Sequence, residues 1–104
     1  MKHSKVRPHP HRLPLPTLPG EVLEEEWLNP SGMSQTALAE KMGLRKQVVD
    51  AIVQGRRAVT AKTALLLAEA LDTTPQFWLN LQHAFNRWEA AQELPGRTHT
   101  AGRR

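Results

Sequence analysis

The stretch QTALAEKMGLRKQVVDAIVQGRR, Gln35–Arg57, decides how this chain is read. Two short helical patterns meet in it at Gly43. In the first, Leu38 and Met42 lie one turn apart, and Ser34 just ahead is a good N-cap, with Met33 and Leu38 placed to close a hydrophobic staple. Gly43 permits the left-handed backbone that stops a helix. The second pattern runs from about Arg45 to Gln54 and ends at Gly55. Val49, Ile52 and Val53 have the i, i+3, i+4 spacing of a buried stripe, while Gln47, Asp50, Ala51 and Gln54 form the opposing stripe. Ala39, small and mid-helix, lets the two helices approach closely across the turn.

Working outward, three more helical patterns appear. In PGEVLEEEWL, from Pro19, Val22, Leu23 and Trp27 share a side, and the acidic residues suit the N-terminal half of a helix. Thr60 caps a fourth helix, with Ala64, Leu67, Ala68 and Leu71 as its stripe. Thr74 and Pro75 open the last as N-cap and first-turn proline, and Phe77, Trp78, Leu81, Phe85 and Trp88 keep helical spacing along it. No stretch alternates with period two. The expected fold class is all-α, with five helices in residues 20–94. Prolines at 8, 10, 14, 16 and 19 make residues 1–19 an extended or disordered basic arm. Residues 95–104, PGRTHTAGRR, lack an apolar anchor and read as a basic tail.

The chain has 104 residues, room for one domain, and a formal charge of +4. It has no cysteine, so neither a disulfide framework nor a thiol nucleophile is available. No run approaches the roughly 18 apolar residues of a membrane span, and prolines interrupt the basic start where a secretory signal would need an apolar block. The expected location is the cytoplasm. Within the folded part, only Leu44–Lys62 is basic: Arg45, Lys46, Arg56, Arg57 and Lys62 stand against Asp50 alone. Clustered charge of this kind suits a polyanion.

Two short helices joined by a tight glycine turn form a helix-turn-helix, whose second helix enters the major groove. Arg45, Lys46 and Gln47 occupy its first turn, where side chains reach base edges. Arg and Lys pair with guanine O6/N7 and Gln with adenine N6/N7. The first-turn N–H groups, with Gln35, are placed to hold a phosphate, and Arg56 and Arg57 can grip the backbone just past Gly55.

Gln35, Ala39, Gly43, Ile52, Gly55 and the basic pair after it together resemble the phage-repressor-like (Cro/C1, or XRE) helix-turn-helix domains. LPGEVLEEEWLNPSGMSQTALAEKMG, IVQGRRAVTAKTALLLAEAL and TTPQFWLNLQ are more specifically similar to the HigA-type antitoxins, over about Leu18 to Trp88. The resemblance implies a protein that neutralises a small, basic, RelE-like ribonuclease toxin and, as a dimer, represses its own operon on double-stranded operator DNA. It places phosphate binding on Gln35, Gln54 and Arg45, and base reading on Lys46, Gln47 and Ala51. Two departures stand out. Arg45 occupies the place usually held by a capping Ser or Thr, and Ala51 is too short to do more than touch a thymine methyl. Asp50 repels phosphate unless it accepts from a cytosine amine or pairs with Lys46 or Gln54.

A two-fold dimer is the economical use of the aromatic stripe, since paired half-sites need paired recognition helices. Phe77, Trp78, Leu81 and Phe85 are expected to be divided between core and interface. His3, His9 and His11 include an H-x-H pair but have no carboxylate or cysteine nearby. Glu24, Glu25 and Glu26 lack a histidine, nucleophile or metal beside them. No metal, cofactor or catalytic residue is expected, and the chain reads as a non-enzyme. Two rival readings are a stand-alone repressor of the same fold with no toxin, and a protein-interaction module that no longer binds DNA.

Overall fold

The computed structural model describes residues 16–94. Its first helix, α1, starts at Pro19, where a missing N–H costs nothing because a first-turn donor has no partner within the helix. It continues as Pro19–Val22, a π-helical stretch Leu23–Leu28, and Asn29–Ser31. The i→i+5 bonding, seen where the Asn29 amide donates to the Glu24 carbonyl, brings residues five apart onto one side. Leu23 and Leu28 are therefore both buried, while Val22 and Trp27 are only half-buried. An α-helical period cannot show this.

Four further helices follow: α2 (Gln35–Met42), α3 (Lys46–Val53), α4 (Ala61–Leu71) and α5 (Pro75–Glu93). Their ends are set locally. The Ser34 Oγ accepts from the Ala37 amide at 2.9 Å, and the Thr74 Oγ1 from Phe77 at 3.2 Å. Thr60 and Thr63 form a reciprocal capping box. After α2, Gly43 takes φ 72°; its N–H bonds to the Glu40 carbonyl at 3.2 Å and the Leu44 N–H to Ala39 at 2.9 Å. This is the Schellman closure. Asp72, at φ 59°, ends α4 in the left-handed region without a glycine.

The five helices make the fold all-α, with no strand among the described residues. The core joins Leu23 and Leu28 of α1, Leu38, Ala39 and Met42 of α2, Val49 and Ile52 of α3, Val59, and Ala64 and Leu67 of α4 to Trp78 of α5. Trp78 is 0% exposed and its indole N–H donates to Thr73 Oγ1 at 2.7 Å. Trp27 and Phe77 pack on it with ring centroids 5.2 and 4.9 Å away. α2 packs on α3 and α4, α4 on α5, and the start of α1 on both α3 and α5.

The N-terminal boundary differs from the expectation drawn at Gly20. Pro19 is already helical and, like Gly20, buried, because the start of α1 lies directly on the end of α3. The remainder of the expected arm, residues 1–15, and the expected tail, 95–104, lie outside the described residues, as do His3, His9 and His11.

Gly20 is where α1 meets α3. A Cβ there would run into the Ile52 carbonyl and lie 2.6 Å from the Val53 carbonyl oxygen. Inside a helix Ala is ordinarily favoured over Gly by up to about 1 kcal/mol. Here Gly20→Ala is expected to destabilise by about 1–3 kcal/mol, as forced overpacking does. Urea unfolding would read this as a lower midpoint at unchanged slope; a raised midpoint would refute the contact.

Candidate nucleic-acid interface

Val49 and Ile52 are buried on one side of α3, which leaves the other side to solvent. Lys46 and Gln47 stand exposed in its first turn, Asp50 and Ala51 follow half-buried, and Gln54 is exposed at its end. Arg45 is the N-cap and makes no side-chain capping bond, as the sequence leads one to expect. Val53, expected inward, is half-buried. Gln35, the first residue of α2, is half-buried.

Two polar pairs organise this surface. Lys46 Nζ donates to Asp50 Oδ2 at 2.8 Å, one of the pairings that the sequence left open for the acid. The Lys46 side chain is 55% and that of Asp50 22% exposed, so the pair contributes only about 0.3–0.5 kcal/mol to stability. Asp50 Oδ1 is enclosed and has no hydrogen-bond partner. At the far end, Gln54 Oε1 accepts from both Nε and Nη2 of Arg56, at 3.0 and 2.9 Å.

The turn after α3 holds the second basic group. Gly55 has φ 79°, and the Arg56 and Arg57 amides both donate to the Ala51 carbonyl, at 2.8 and 3.2 Å. The structure thus brings Arg45, Lys46, Gln47, Asp50, Ala51, Gln54, Arg56 and Arg57 together on one helix and the turn that ends it. Gln35 belongs to the start of the preceding helix.

The aromatic stripe divides. Of the four residues expected to be divided between core and interface, Trp78 is wholly core and is not available to an interface: Trp27 and Phe77 cover its ring and Thr73 takes its N–H. Phe77 is 37% exposed, and Leu81 and Phe85 are half-buried. Among the described residues no cluster of His, Asp and Glu is arranged to hold a metal, and no helix is long and apolar enough to cross a membrane.

Gln82 was missed in the sequence. It is buried, and its Oε1 accepts from the Val59 amide at 2.8 Å while its Nε2 donates to Asn86 Oδ1 at 3.0 Å. It thereby ties the segment between α3 and α4 to α5. The available signal was its position between Trp78 and Phe85 on the apolar stripe, where an amide needs a reason to be.

Comparison with known proteins agrees with this geometry. The helix-turn-helix family model matches residues 25–78. Antitoxin HigA-1 of Vibrio cholerae is 45% identical over 74 residues, 71% of this chain and 70% of its own length. The solved antitoxin GraA is 42% identical with TM-score 0.76, covering 82% of this chain and 91% of its own. The same antitoxin in complex with its operator gives TM-score 0.71 at 42% identity, over 83% and 86%. Pseudomonas aeruginosa antitoxin HigA, solved with the higBA promoter, gives 0.76 at 32%, over 80% and 90%. The chain belongs to the XRE-type helix-turn-helix family, among its HigA-type antitoxins. It is not an enzyme; its relatives are antitoxins and helix-turn-helix regulators.

Gln82→Leu should leave the Val59 amide buried without a partner, at a cost of about 1–3 kcal/mol. A domain of this size then melts roughly 4–8 °C lower per kcal/mol, with faster hydrogen exchange at Val59. An unchanged melt would mean that the segment is held without Gln82.

Proposed function

We propose that the protein is an antitoxin that also represses its own operon, binding double-stranded operator DNA as a homodimer in the cytoplasm and neutralising a small, basic, RelE-like ribonuclease toxin. The observation that carries the DNA half is the exposure of Lys46 and Gln47 in the first turn of a helix whose opposite side is locked by Val49 and Ile52. In this reading Lys46 and Gln47 read bases and Ala51 touches a thymine methyl. Gln35, Arg45, Gln54, Arg56 and Arg57 hold phosphates. The operator complex of GraA and the promoter complex of Pseudomonas aeruginosa HigA, both of this fold, support it. Phe77, Leu81 and Phe85 are the residues we assign to the dimer contact. The toxin half rests on kinship with HigA-1 and GraA.

Replacing Lys46 and Gln47 together by Ala should weaken binding to the DNA upstream of the gene by at least about tenfold, since each base contact is worth about 1–3 kcal/mol of discrimination. Arg57→Ala should weaken all duplexes alike and reduce the slope of log K against log salt by about 1. Fluorescence anisotropy against a shuffled duplex reads both. No preference of the wild type for its own upstream DNA at physiological salt rejects the DNA half.

The toxin half is tested by expressing a small basic reading frame neighbouring the gene and following growth. Arrest relieved by this protein, and equally by the Lys46/Gln47 double variant, is the expected result. Arrest that it cannot relieve leaves a stand-alone repressor.

A further inference from the structure

Asp50 is an unusual residue to find on a surface offered to a polyanion, and its geometry suggests a use. Its Oδ2 lies 2.8 Å from Lys46 Nζ, while Oδ1 is enclosed with no hydrogen-bond partner. Oδ1 is thus closed to a base, but each carboxylate oxygen has about two acceptor sites, so Oδ2, which gives one of them to Lys46, keeps the other for a donor from outside. The ammonium likewise has N–H donors beyond the one that Asp50 takes. Together they present a donor and an acceptor side by side on the outer face of α3.

The major-groove edge of a G·C pair is the complementary object. Guanine offers N7 and O6 as acceptors, and cytosine N4 is a donor. O6 and N4 are themselves hydrogen-bonded, about 2.9 Å apart as N–H···O partners are, close to the 2.8 Å of the protein pair. Resting on the DNA-reading role proposed above, we infer that Lys46 and Asp50 act as one unit that selects a G·C pair: Lys46 donates to guanine O6 and N7, and Asp50 accepts from cytosine N4. An A·T pair fits less well. Its donor lies between two separated acceptors, so Lys46 loses the adjacent acceptor pair that its remaining N–H groups would fill. Asp50 is then also a positioning residue, because its carboxylate draws the flexible lysine stem over the helix instead of leaving it to the nearest phosphate.

The test is selection from a pool of random duplexes by the full-length wild type, Asp50→Asn and Lys46→Ala, with circular dichroism to verify folding. Asn keeps the shape but loses the charge that holds Lys46. The wild type should enrich a motif with one G·C position preferred about tenfold or more. Asp50→Asn and Lys46→Ala should both lose that preference at the same position and keep the rest of the motif. A merely structural Asp50 would lower affinity at every position alike. A motif unchanged in Asp50→Asn overturns the inference and leaves the DNA-reading role standing. No enriched motif for the wild type overturns that role, and the inference with it.

Discussion

A helix of eight residues such as α3 cannot sustain itself in water, because nucleation is costly and so few residues propagate too little to recover it. Its existence depends on what it buries. Val49 and Ile52 are enclosed among Leu38, Ala39, Met42 and the rest of the core, and complete burial of a side chain of this kind contributes about 1.5–3 kcal/mol. Those two residues therefore set which way the helix faces. A shift of one residue turns it by about 100°; in one direction it would drive Asp50 into the core in place of Val49, and in the other it would put Ala51 in place of Ile52. The polar face points outward because the apolar face has only one place to go.

The surroundings of α3 extend that constraint beyond the helix. Gly43 closes α2 so that Leu44 and Arg45 lead straight into α3, and Gly55 repeats the same closure at its end. Past Gly55 the chain is held by the Ala51 carbonyl at Arg56 and Arg57, then by Gln82 at Val59. At the other side, the bare backbone at Gly20 lets α1 rest on the last carbonyls of α3. A surface fixed at so many points loses little conformational freedom on meeting a partner, which is how rigid recognition elements gain affinity without added contacts.

Most of this was legible in the sequence because helix ends are decided locally. Ser34, Gly43, Gly55, Thr60 and the Thr74–Pro75 pair each act through a bond to a neighbour a few residues away, so their roles can be read where they stand. The stripe of Val49 and Ile52 was legible for the same reason. What escaped depends on contacts between distant segments. The π-helical stretch of α1 pairs Leu23 with Leu28 at a spacing that a 3.6-residue period does not favour. Trp78 and its neighbour Phe77 look equivalent as letters, and only the packing of Trp27 and the hydroxyl of Thr73 decide which is core. Gln82 gains its meaning from an amide twenty-three residues earlier. On the candidate interface, the residues themselves could be named in advance, whereas the partners chosen by Asp50 and Gln54 needed coordinates.

The start of α3 shows a compromise that stability alone does not explain. The N-terminal end of a helix carries partial positive charge and favours an acid or a capping oxygen. α3 begins instead with Arg45, which makes no capping bond, and Lys46, a cation in the first turn. Its acid, Asp50, comes a turn later, in the less favourable order for an i, i+4 pair. Each choice costs a few tenths of a kcal/mol to about 1 kcal/mol. The other helices with regular entries, α2, α4 and α5, all receive a Ser or Thr cap with its bond formed. The chain is thus able to cap helices; apart from α1, which opens on Leu18 and Pro19, α3 alone among the described helices starts without a capping side chain. An uncapped helix start ringed with cations has free N–H groups and a positive field at one point, and the ligand that satisfies both is an anion. Phosphate is the anion that a DNA backbone brings to the first turn of a recognition helix, so the locally unfavourable start of α3 is consistent with a partner that completes it.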